Sequence, residues 1–181
     1  RDADAPLERL FMVTSGALLR IESLHLHNNA SSMSFDGCSA ATTPPFNECR
    51  GTLIYAYQAR VELVGCTVRD TRAGFSAALM LTTSTSLVTN CTFTRLEVVW
   101  RSAIMAYMKS TLVVESSLFH DNVARAGGTI GTCKLLTTAS AFVPSQAPPL
   151  TTISLARADI DSHMKLRDST FTSNRGGATV F

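Results

Sequence analysis

The sequence predicts an all-β protein, a right-handed parallel β-helix of about six coils, each 25–26 residues long. The first observation is that apolar and polar residues alternate with a period of two, which is typical of half-buried strands. The second is that this strand pattern recurs at a nearly constant interval, which is typical of a solenoid. The third is that no stretch keeps a 3.6-residue period, so we expect almost no helix.

The clearest copy of the repeat occupies residues 110–130. Alternating apolar residues predict strands, whereas Asn and the glycine pair mark corners where the backbone leaves the β region. Its defining positions are Leu112, Val114, Ser117, Phe119, Asn122, Gly127 and Gly128. The copy therefore predicts three short strands separated by two corners.

Five copies share an apolar anchor residue, and these anchors are Leu26, Val68, Phe93, Phe119 and Phe171. Their spacings of 42, 25, 26 and 52 residues indicate one insertion and one hidden copy. An earlier strand is expected fourteen or fifteen residues before each anchor and before the hidden copy. These positions are Phe11, Leu53, Leu79, Ile104 and Ile130, and the same step then reaches Leu155.

Each coil can bury only one face, by lying on its neighbours, so equivalent residues should form inward columns. One column is Leu19, Val61, Ser86, Leu112 and Met164. The next is Ile21, Leu63, Val88, Val114 and Leu166. The anchors form the third, and we expect Phe93, Phe119 and Phe171 to be core residues.

Two stretches interrupt the pattern, and we expect loop insertions at about residues 30–50 and 133–152. Each contains prolines, which cannot donate to the hydrogen bonds of an interior ladder. The interval from Ile130 to Leu155 is nevertheless 25 residues, the length of one coil. Residues 133–152 therefore either complete a coil with an irregular corner or form a loop.

Composition allows a sizeable core, because 45% of residues are hydrophobic and only 17% are charged. A net charge of +2 and the lack of any basic run argue against nucleic-acid binding. No apolar run reaches the ~18 residues of a membrane span, so we expect no direct membrane insertion. The first residue is Arg1 and the last is Phe181, within a strand pattern. We expect residues 1–181 to be a single β-helix segment of a longer protein.

The five cysteines suggest an extracellular or cell-surface location. Cys38 and Cys49 lie in the insertion at 30–50, where a disulfide is the natural extracellular interpretation and two free thiols the alternative. Cys66 and Cys91 each lie two residues before an anchor, which favours inward-facing core thiols over a bridge. The pairing state of Cys133 is open.

Two Asn-x-Ser/Thr sequons predict N-glycosylation, at Asn29 and at Asn90. Such sequons also arise by chance, so each is weak evidence taken alone. Asn29 is in addition a corner residue of the repeat, as are Asn122 and Asn174. Asn at a corner can adopt positive φ and can pair with the Asn of the next coil, so we expect these three residues to be structural.

The pairing of an F-x-x-N segment with G-G-[A/T]-x resembles the repeats of polymorphic-outer-membrane-protein-like proteins. The complete pattern stands at two places, and its residues are Phe119, Asn122, Gly127, Gly128, Phe171, Asn174, Gly176 and Gly177. That family is built on the right-handed parallel β-helix of the pectin-lyase-like class. The resemblance implies a surface-exposed adhesive or structural protein.

Catalysis by β-helix enzymes needs clustered carboxylates, and the sequence spreads its outward acids over different columns. These acids are Glu62, Asp70, Glu115, Asp121, Asp159, Asp161 and Asp168. Asp70 and Asp121 are separated by Arg95, which is typical of alternating surface charge. His25 and His27 share a face but lack a third ligand. We therefore expect no catalytic residues, no metal and no cofactor.

The outward positions instead carry hydroxyl groups, at Thr82, Thr83, Thr85, Thr89, Thr92 and Thr94. Tyr55 and Tyr57 point to the same side of their strand, either outward or inward, and Tyr107 shares the column of Tyr57. Exposed tyrosines there would stack on sugar rings, whereas the alternative that we favour places them in an interface or in the core. The sequence thus predicts a non-enzymatic structural or adhesive module. Its expected partners are further coils or other surface proteins at the open coil ends, and glycans on the outer faces. The alternative is a carbohydrate-active β-helix enzyme whose active site lies outside this segment or is unrecognised in it.

Overall fold

A computed structural model of the 181-residue chain describes residues 10–27, 53–73, 76–98, 102–124, 134–138, 141–143, 156–159 and 162–176. For 134–138, 141–143 and 156–159 the description is confined to the backbone. Within these residues the chain forms short strands and no helix. The all-β prediction is therefore confirmed.

The strands assemble into four sheets, which we name A to D in the order in which each coil visits them. Sheet A contains β1 (Phe11–Thr14), β4 (Ile54–Tyr57), β8 (Ser76–Thr82), β12 (Ser102–Tyr107) and β18 (Ala156–Asp159), in that spatial order. Sheet D contains β7 (Arg72–Ala73), β11 (Glu97–Val98), β15 (Val123–Ala124) and β21 (Arg175–Gly176). In the described part, neighbouring strands of both sheets run parallel.

Sheets B and C carry the longest ladders, with six strands each. Sheet B contains β2 (Leu18–Glu22), β5 (Arg60–Val64), β9 (Thr85–Thr89), β13 (Thr111–Glu115), β19 (His163–Arg167) and β16 (Lys134–Thr138), in that spatial order. Sheet C contains β3 (His25–His27), β6 (Thr67–Arg69), β10 (Thr92–Thr94), β14 (Leu118–His120), β20 (Thr170–Thr172) and β17 (Ala141–Val143).

Five stacked coils follow from these ladders: coil 1 (10–27), coil 2 (53–73), coil 3 (76–98), coil 4 (102–124) and coil 5 (156–176). Each coil passes through sheet A, then B, then C, and coils 2 to 5 also through D. Every ladder joins one coil to the next in parallel register, which is the architecture of a parallel β-helix.

The inward columns predicted from the sequence are confirmed. In sheet B, Val61, Ser86 and Leu112 are consecutive register partners, and their side chains are buried. In sheet C the anchors stack ring on ring. The Phe93 and Phe119 centroids are 4.5 Å apart, and those of Phe119 and Phe171 are 4.7 Å apart. Burial of stacked aromatic rings supplies both apolar area and favourable ring contacts to the core.

One predicted column is displaced by a single residue. Ile54, rather than Leu53, is the register partner of Phe11 and of Leu79. Leu53 is also buried, but it lies in the corner leading into β4, where its backbone N–H donates to the carbonyl of Ala77 at 3.1 Å. The predicted strand positions Ile130 and Leu155 lie outside the described residues.

The corners are turned by a left-handed residue that precedes the predicted corner asparagine. Asp121 has φ 55° and Ser173 has φ 51°, whereas Asn122 and Asn174 that follow them are not left-handed. The expectation that Asn itself adopts positive φ is therefore wrong for these two residues. The left-handed residue turns the chain and leaves the next side chain buried at the inner side of the corner.

Asn122 and Asn174 do have the predicted structural role, because their amides link three coils. The Asn122 Oδ1 accepts from the Leu96 N–H at 2.9 Å, and its Nδ2 donates to Asn174 Oδ1 at 3.0 Å. The Asn174 Oδ1 also accepts from the Asn122 N–H at 3.0 Å. Gly176, predicted at a corner, lies instead in β21 opposite Ala124. Asn29, Gly127, Gly128 and Gly177 lie outside the described residues.

A second buried ladder, which the sequence analysis missed, runs through serines at the corner between sheets A and B. The Ala59 N–H donates to Ser84 Oγ, the Ser84 N–H to Ser110 Oγ, and the Ser110 N–H to Ser162 Oγ, each at 3.1 Å. The side chain of each coil thus satisfies a buried donor of the preceding coil. A serine at a fixed position in successive coils was the available signal.

The stacking order departs from the chain order at one place. β13 of coil 4 pairs directly with β19 of coil 5, and β16 pairs with the far side of β19. Residues 133–152 are expected either to complete a coil or to form a loop. The strands at 134–138 and 141–143 show that the first part of this stretch forms coil strands. They continue the stack beyond coil 5, with Phe142 in register with Phe171. In the described part, two strands of the hidden copy thus lie beyond coil 5 and not between coils 4 and 5.

Candidate functional site on the outer faces of the coils

The corner between sheets C and D carries a ladder of alternating charge. The Arg95 guanidinium donates from Nε to Asp70 Oδ1 at 2.6 Å and from Nη2 to Oδ2 at 2.8 Å. The hydrogen bond from Arg95 lowers the pKa of the Asp70 carboxyl, because it stabilises the ionised form. This bidentate pair fits the surface-charge interpretation, since both carboxylate oxygens of Asp70 are occupied.

At the same corner of coil 4, an imidazole contacts a carboxylate. His120 Nδ1 lies 2.9 Å from Asp121 Oδ2 and 3.3 Å from Thr94 Oγ1. Arg95, on the intervening coil, separates Asp121 from Asp70. The two carboxylates therefore do not face each other across a groove, as an acid/base pair requires.

Glu62, predicted as an outward acid, is buried at the outer face of sheet B. Its Oε2 accepts from Arg20 Nη1 at 3.0 Å, and its Oε1 lies 2.7 Å from Arg60 Nη2. Arg20 also contacts Glu22 on its own strand. Two guanidinium groups thus cover this carboxylate, which is why it is buried although it faces away from the core.

The remaining predicted acids lie apart from one another. Glu115 is paired with Arg167, whose Nη1 donates to its Oε1 at 2.7 Å. Asp168 is exposed at the corner that follows β19. Asp159 belongs to β18, where its backbone is opposite Tyr107. Asp161 lies outside the described residues.

The histidines of β3 share the outer face of sheet C. His25 and His27 flank the buried Leu26, and both are exposed. Among the residues that the structure describes, no group of three His, Cys, Asp or Glu side chains is close enough to hold a metal ion.

The outer face of sheet A carries a tyrosine–threonine column. Tyr57, Thr82 and Tyr107 are consecutive register partners on coils 2, 3 and 4. Tyr57 is 42% exposed and Tyr107 is half-buried, whereas Thr82 is only 7% exposed. Thr82 thus forms the floor between two aromatic side chains, because the larger residues on both sides shield it.

A parallel column on the same face contains methionines that sequence reasoning missed. Met80 and Met105 are register partners, in line with Tyr55. They are 6% and 2% exposed, although strand alternation directs them away from the core. Alternation assigns a residue to the outer face, but it does not reveal what covers that face.

The predicted threonine face is only partly accessible. Thr83 and Thr85 are exposed, and Thr89 and Thr92 are half-buried. Thr94 is buried between Arg69 and His120, its register partners on coils 2 and 4. The accessible hydroxyl groups therefore lie on coil 3 at the corner between sheets A and B and on sheet B.

Cys66 and Cys91 are buried free thiols, as the core interpretation predicted. The Cys66 N–H donates to Cys91 Sγ at 3.4 Å, and burial raises the pKa of the Cys91 thiol to about 11. Cys38, Cys49 and Cys133 lie outside the described residues, so the predicted Cys38–Cys49 disulfide stays a prediction.

Comparison with known proteins agrees with this architecture. Residues 10–181 match the family described as the right handed beta helix region. No curated protein and no solved structure matches the chain. In the described part, no helix is long and apolar enough to cross a membrane. The prediction of a right-handed parallel β-helix is therefore confirmed, and the chain belongs to the right-handed β-helix family.

Proposed function

We propose that this β-helix is a non-enzymatic structural or adhesive module of a cell surface, cell wall or surface appendage. It presents its outer faces to glycans or to other proteins. In the described part sheet B ends at β2 and at β16, and the edges of such terminal strands can pair with further coils of the same chain or with other surface proteins.

The observation that carries the proposal is the engagement of the acidic side chains. Among the acidic side chains that the structure describes, all except Asp168 contact a basic or imidazole group: Glu22, Glu62, Asp70, Glu97, Glu115 and Asp121. For Asp159 only the backbone is described. General acid/base cleavage of a glycosidic bond needs two carboxylates facing one substrate. Four of these carboxylates, on Glu62, Asp70, Glu97 and Glu115, pair with a guanidinium group of a neighbouring coil and so join coils instead.

The tyrosine–threonine column (Tyr57, Thr82 and Tyr107) is the surface best suited to a sugar ring. The two tyrosines stand two strand spacings apart, roughly 10 Å. Sugar rings offer apolar faces to aromatic side chains, and tyrosine also supplies a polar hydroxyl. Gln58 and Thr83, the exposed corner residues that follow this column, add hydrogen-bonding groups beside it.

An extracellular setting belongs to the same proposal. A Cys38–Cys49 disulfide would close the insertion at 30–50, and disulfides persist in oxidising compartments. Intact-mass measurement under non-reducing conditions tests it. Free thiols at both cysteines, in protein isolated from its native compartment, would contradict this part of the proposal.

Parallel measurements of glycan binding and of glycan turnover distinguish a non-enzymatic module from a carbohydrate-active enzyme. The protein is incubated with polyuronates and neutral glycans, with and without calcium, while calorimetry follows binding. We expect binding without turnover, and Tyr57→Ala should weaken glycan binding about 2- to 12-fold, the loss of one aromatic contact. Thr85→Ala, at an exposed site on sheet B, is the matched control and should bind like the wild type.

Turnover that disappears on Asp121→Ala or Asp70→Ala would replace the proposal with the carbohydrate-active enzyme. If Tyr57→Ala leaves glycan binding unchanged, the tyrosine–threonine column is not the glycan-binding surface. Binding to surface proteins but to no glycan would restrict the module to protein contacts.

A further inference from the structure

The corner between sheets B and C on coil 3 presents an asparagine to solvent. Asn90 is exposed, adopts φ 53° and donates its backbone N–H to the Glu115 carbonyl at 3.0 Å. The side chain of the next residue, Cys91, is buried in the core. The side chain of Thr92 lies on the outer face of sheet C and is half-buried. The three residues form an Asn-x-Thr sequon in which the asparagine is exposed to solvent and the middle residue is buried in the core.

The amide of Asn90 differs from the amides of the two corner asparagines. The Asn122 Nδ2 is buried and donates to Phe93 O at 3.0 Å, and the Asn174 Nδ2 donates to Phe119 O at 2.9 Å. Among the described residues, no hydrogen bond holds the side-chain amide of Asn90 in the fold. A group attached to its Nδ2 would therefore displace no internal contact.

The left-handed conformation offers a simpler explanation for an asparagine here, because Asn adopts positive φ readily. Equivalent corners on the other coils weaken that explanation. They are occupied by Ser23, Gly65, Ser116 and Asp168, all with positive φ. The corner therefore accepts several residue types, and its geometry does not require Asn.

We propose that Asn90 is an N-glycosylation site, an inference that rests on the extracellular setting of the proposed function. The donor is a polyprenyl-diphosphate-linked oligosaccharide. A bond forms between Asn90 Nδ2 and the anomeric carbon, the bond from that carbon to the diphosphate oxygen breaks, and the amide gives up one proton. The polyprenyl diphosphate leaves, and no oxidant or reductant takes part.

The position of this glycan determines which faces stay accessible. It stands at the corner between sheets B and C, halfway along the stack, where Thr89 and Thr92 border it. Sheet A does not adjoin that corner, because each coil reaches it only after passing through sheet B. The glycan therefore leaves the tyrosine–threonine column open to a partner.

The test is secretion of the full chain, with an added leader and a reporter sequon at its end, from a eukaryotic cell line. Tryptic peptides are then mapped before and after peptide N-glycanase treatment. Asn90 falls on the peptide of residues 73–95, and Asn29 falls on the peptide of residues 21–50, so the two sequons are resolved. We expect a glycan on 73–95 that the enzyme removes.

Matched variants separate the sequon from the fold. Asn90→Asp should lose the glycan and stay folded, because Asp168 occupies the equivalent corner. Thr92→Ser should keep the glycan, and Thr92→Ala should lose it. An unmodified 73–95 peptide in secreted protein whose reporter sequon is glycosylated overturns the proposal. The added leader makes this result independent of the binding and turnover tests above, so either can fail alone.

Discussion

The Arg167 guanidinium donates to the Glu115 carboxylate at 2.7 Å, although the two residues are 52 positions apart in the chain. Fifty-two residues are two repeat units, so a stack in chain order would place one whole coil between them. The pair instead joins adjacent strands, β13 and β19. The ion pair thus records that coil 5 lies directly on coil 4.

This stacking order predicts a specific cross-link. Thr111 and His163 are exposed register partners on β13 and β19. Adjacent strands are about 4.8 Å apart, within the range of Cα separations that a disulfide spans. Thr111→Cys with His163→Cys, with Cys38, Cys49 and Cys133 replaced by serine, should oxidise to a disulfide. Non-reducing peptide mapping detects it.

The control pairs Thr111→Cys with Lys134→Cys in the same background. β16 is separated from β13 by β19, so these two positions are roughly 10 Å apart and should not cross-link. A stack in chain order reverses the two results, because Lys134 would then lie beside Thr111. Oxidation of the control pair alone would therefore refute the observed order.

Phe119→Ala should lower the free energy of unfolding by ~3–5 kcal/mol, the usual range for truncating a buried aromatic residue. Phe119 is fully buried and stacks on Phe93 at 4.5 Å and on Phe171 at 4.7 Å. Urea denaturation measures the change. Leu18→Ala, at a side chain that is 59% exposed, is the control and should cost far less. Equal losses at the two sites would mean that the anchor column is not the core.

Ser86→Ala should raise stability by about 1 kcal/mol. The Ser86 hydroxyl is buried in an apolar column and has no hydrogen-bond partner in the described part of the chain. Removing an unsatisfied buried polar group is neutral or favourable, because its desolvation penalty disappears. The midpoint of urea unfolding reports the shift. A loss of stability would indicate that the hydroxyl is hydrogen-bonded in solution, for example to an internal water.

Ser110→Ala should have the opposite sign at a similarly buried site. Its Oγ accepts from the Ser84 N–H at 3.1 Å and donates to the Tyr107 carbonyl. The substitution leaves a buried N–H without an acceptor, which costs ~1–3 kcal/mol. Comparing Ser110→Ala with Ser86→Ala distinguishes the ladder serine from the column serine in one experiment.

Stability should fall as pH rises from 9 to 11, the interval between the ordinary pKa of the Cys91 thiol and its raised value of about 11. The folded state keeps this thiol protonated, whereas the unfolded state loses the proton first, so alkali favours unfolding. Across this pH interval the loss of stability amounts to ~2–3 kcal/mol. Cys91→Ser should abolish that part of the decline, since Ser117 fills the same corner position on coil 4. An identical alkaline decline in both proteins would contradict the shifted pKa.

The strands and their inward columns were predictable from the chain alone. Burial of one face of a strand requires alternating apolar residues, so Val61, Val88 and Val114 identify the core wherever the coils lie. The step of 25 or 26 residues then places equivalent residues in register. Local alternation and repeat length are sufficient to predict the strands and the inward columns, because every coil buries the same face against its neighbours.

Long-range contacts determined the stacking order of the coils and the burial of the outward residues. The sequence does not fix the stacking order, because the edges of equivalent strands can pair with one another in more than one order. The edge of β13 accepts β19 or β16 with the same backbone geometry, and alternation along the chain does not distinguish them. Pairing across coils likewise decides which outward residues are hidden. Two arginines bury Glu62, and neighbouring coils shield Thr82. The Arg20–Glu62 contact and the Tyr57–Thr82 pairing join residues 42 and 25 positions apart, so they exist only once the coils are stacked.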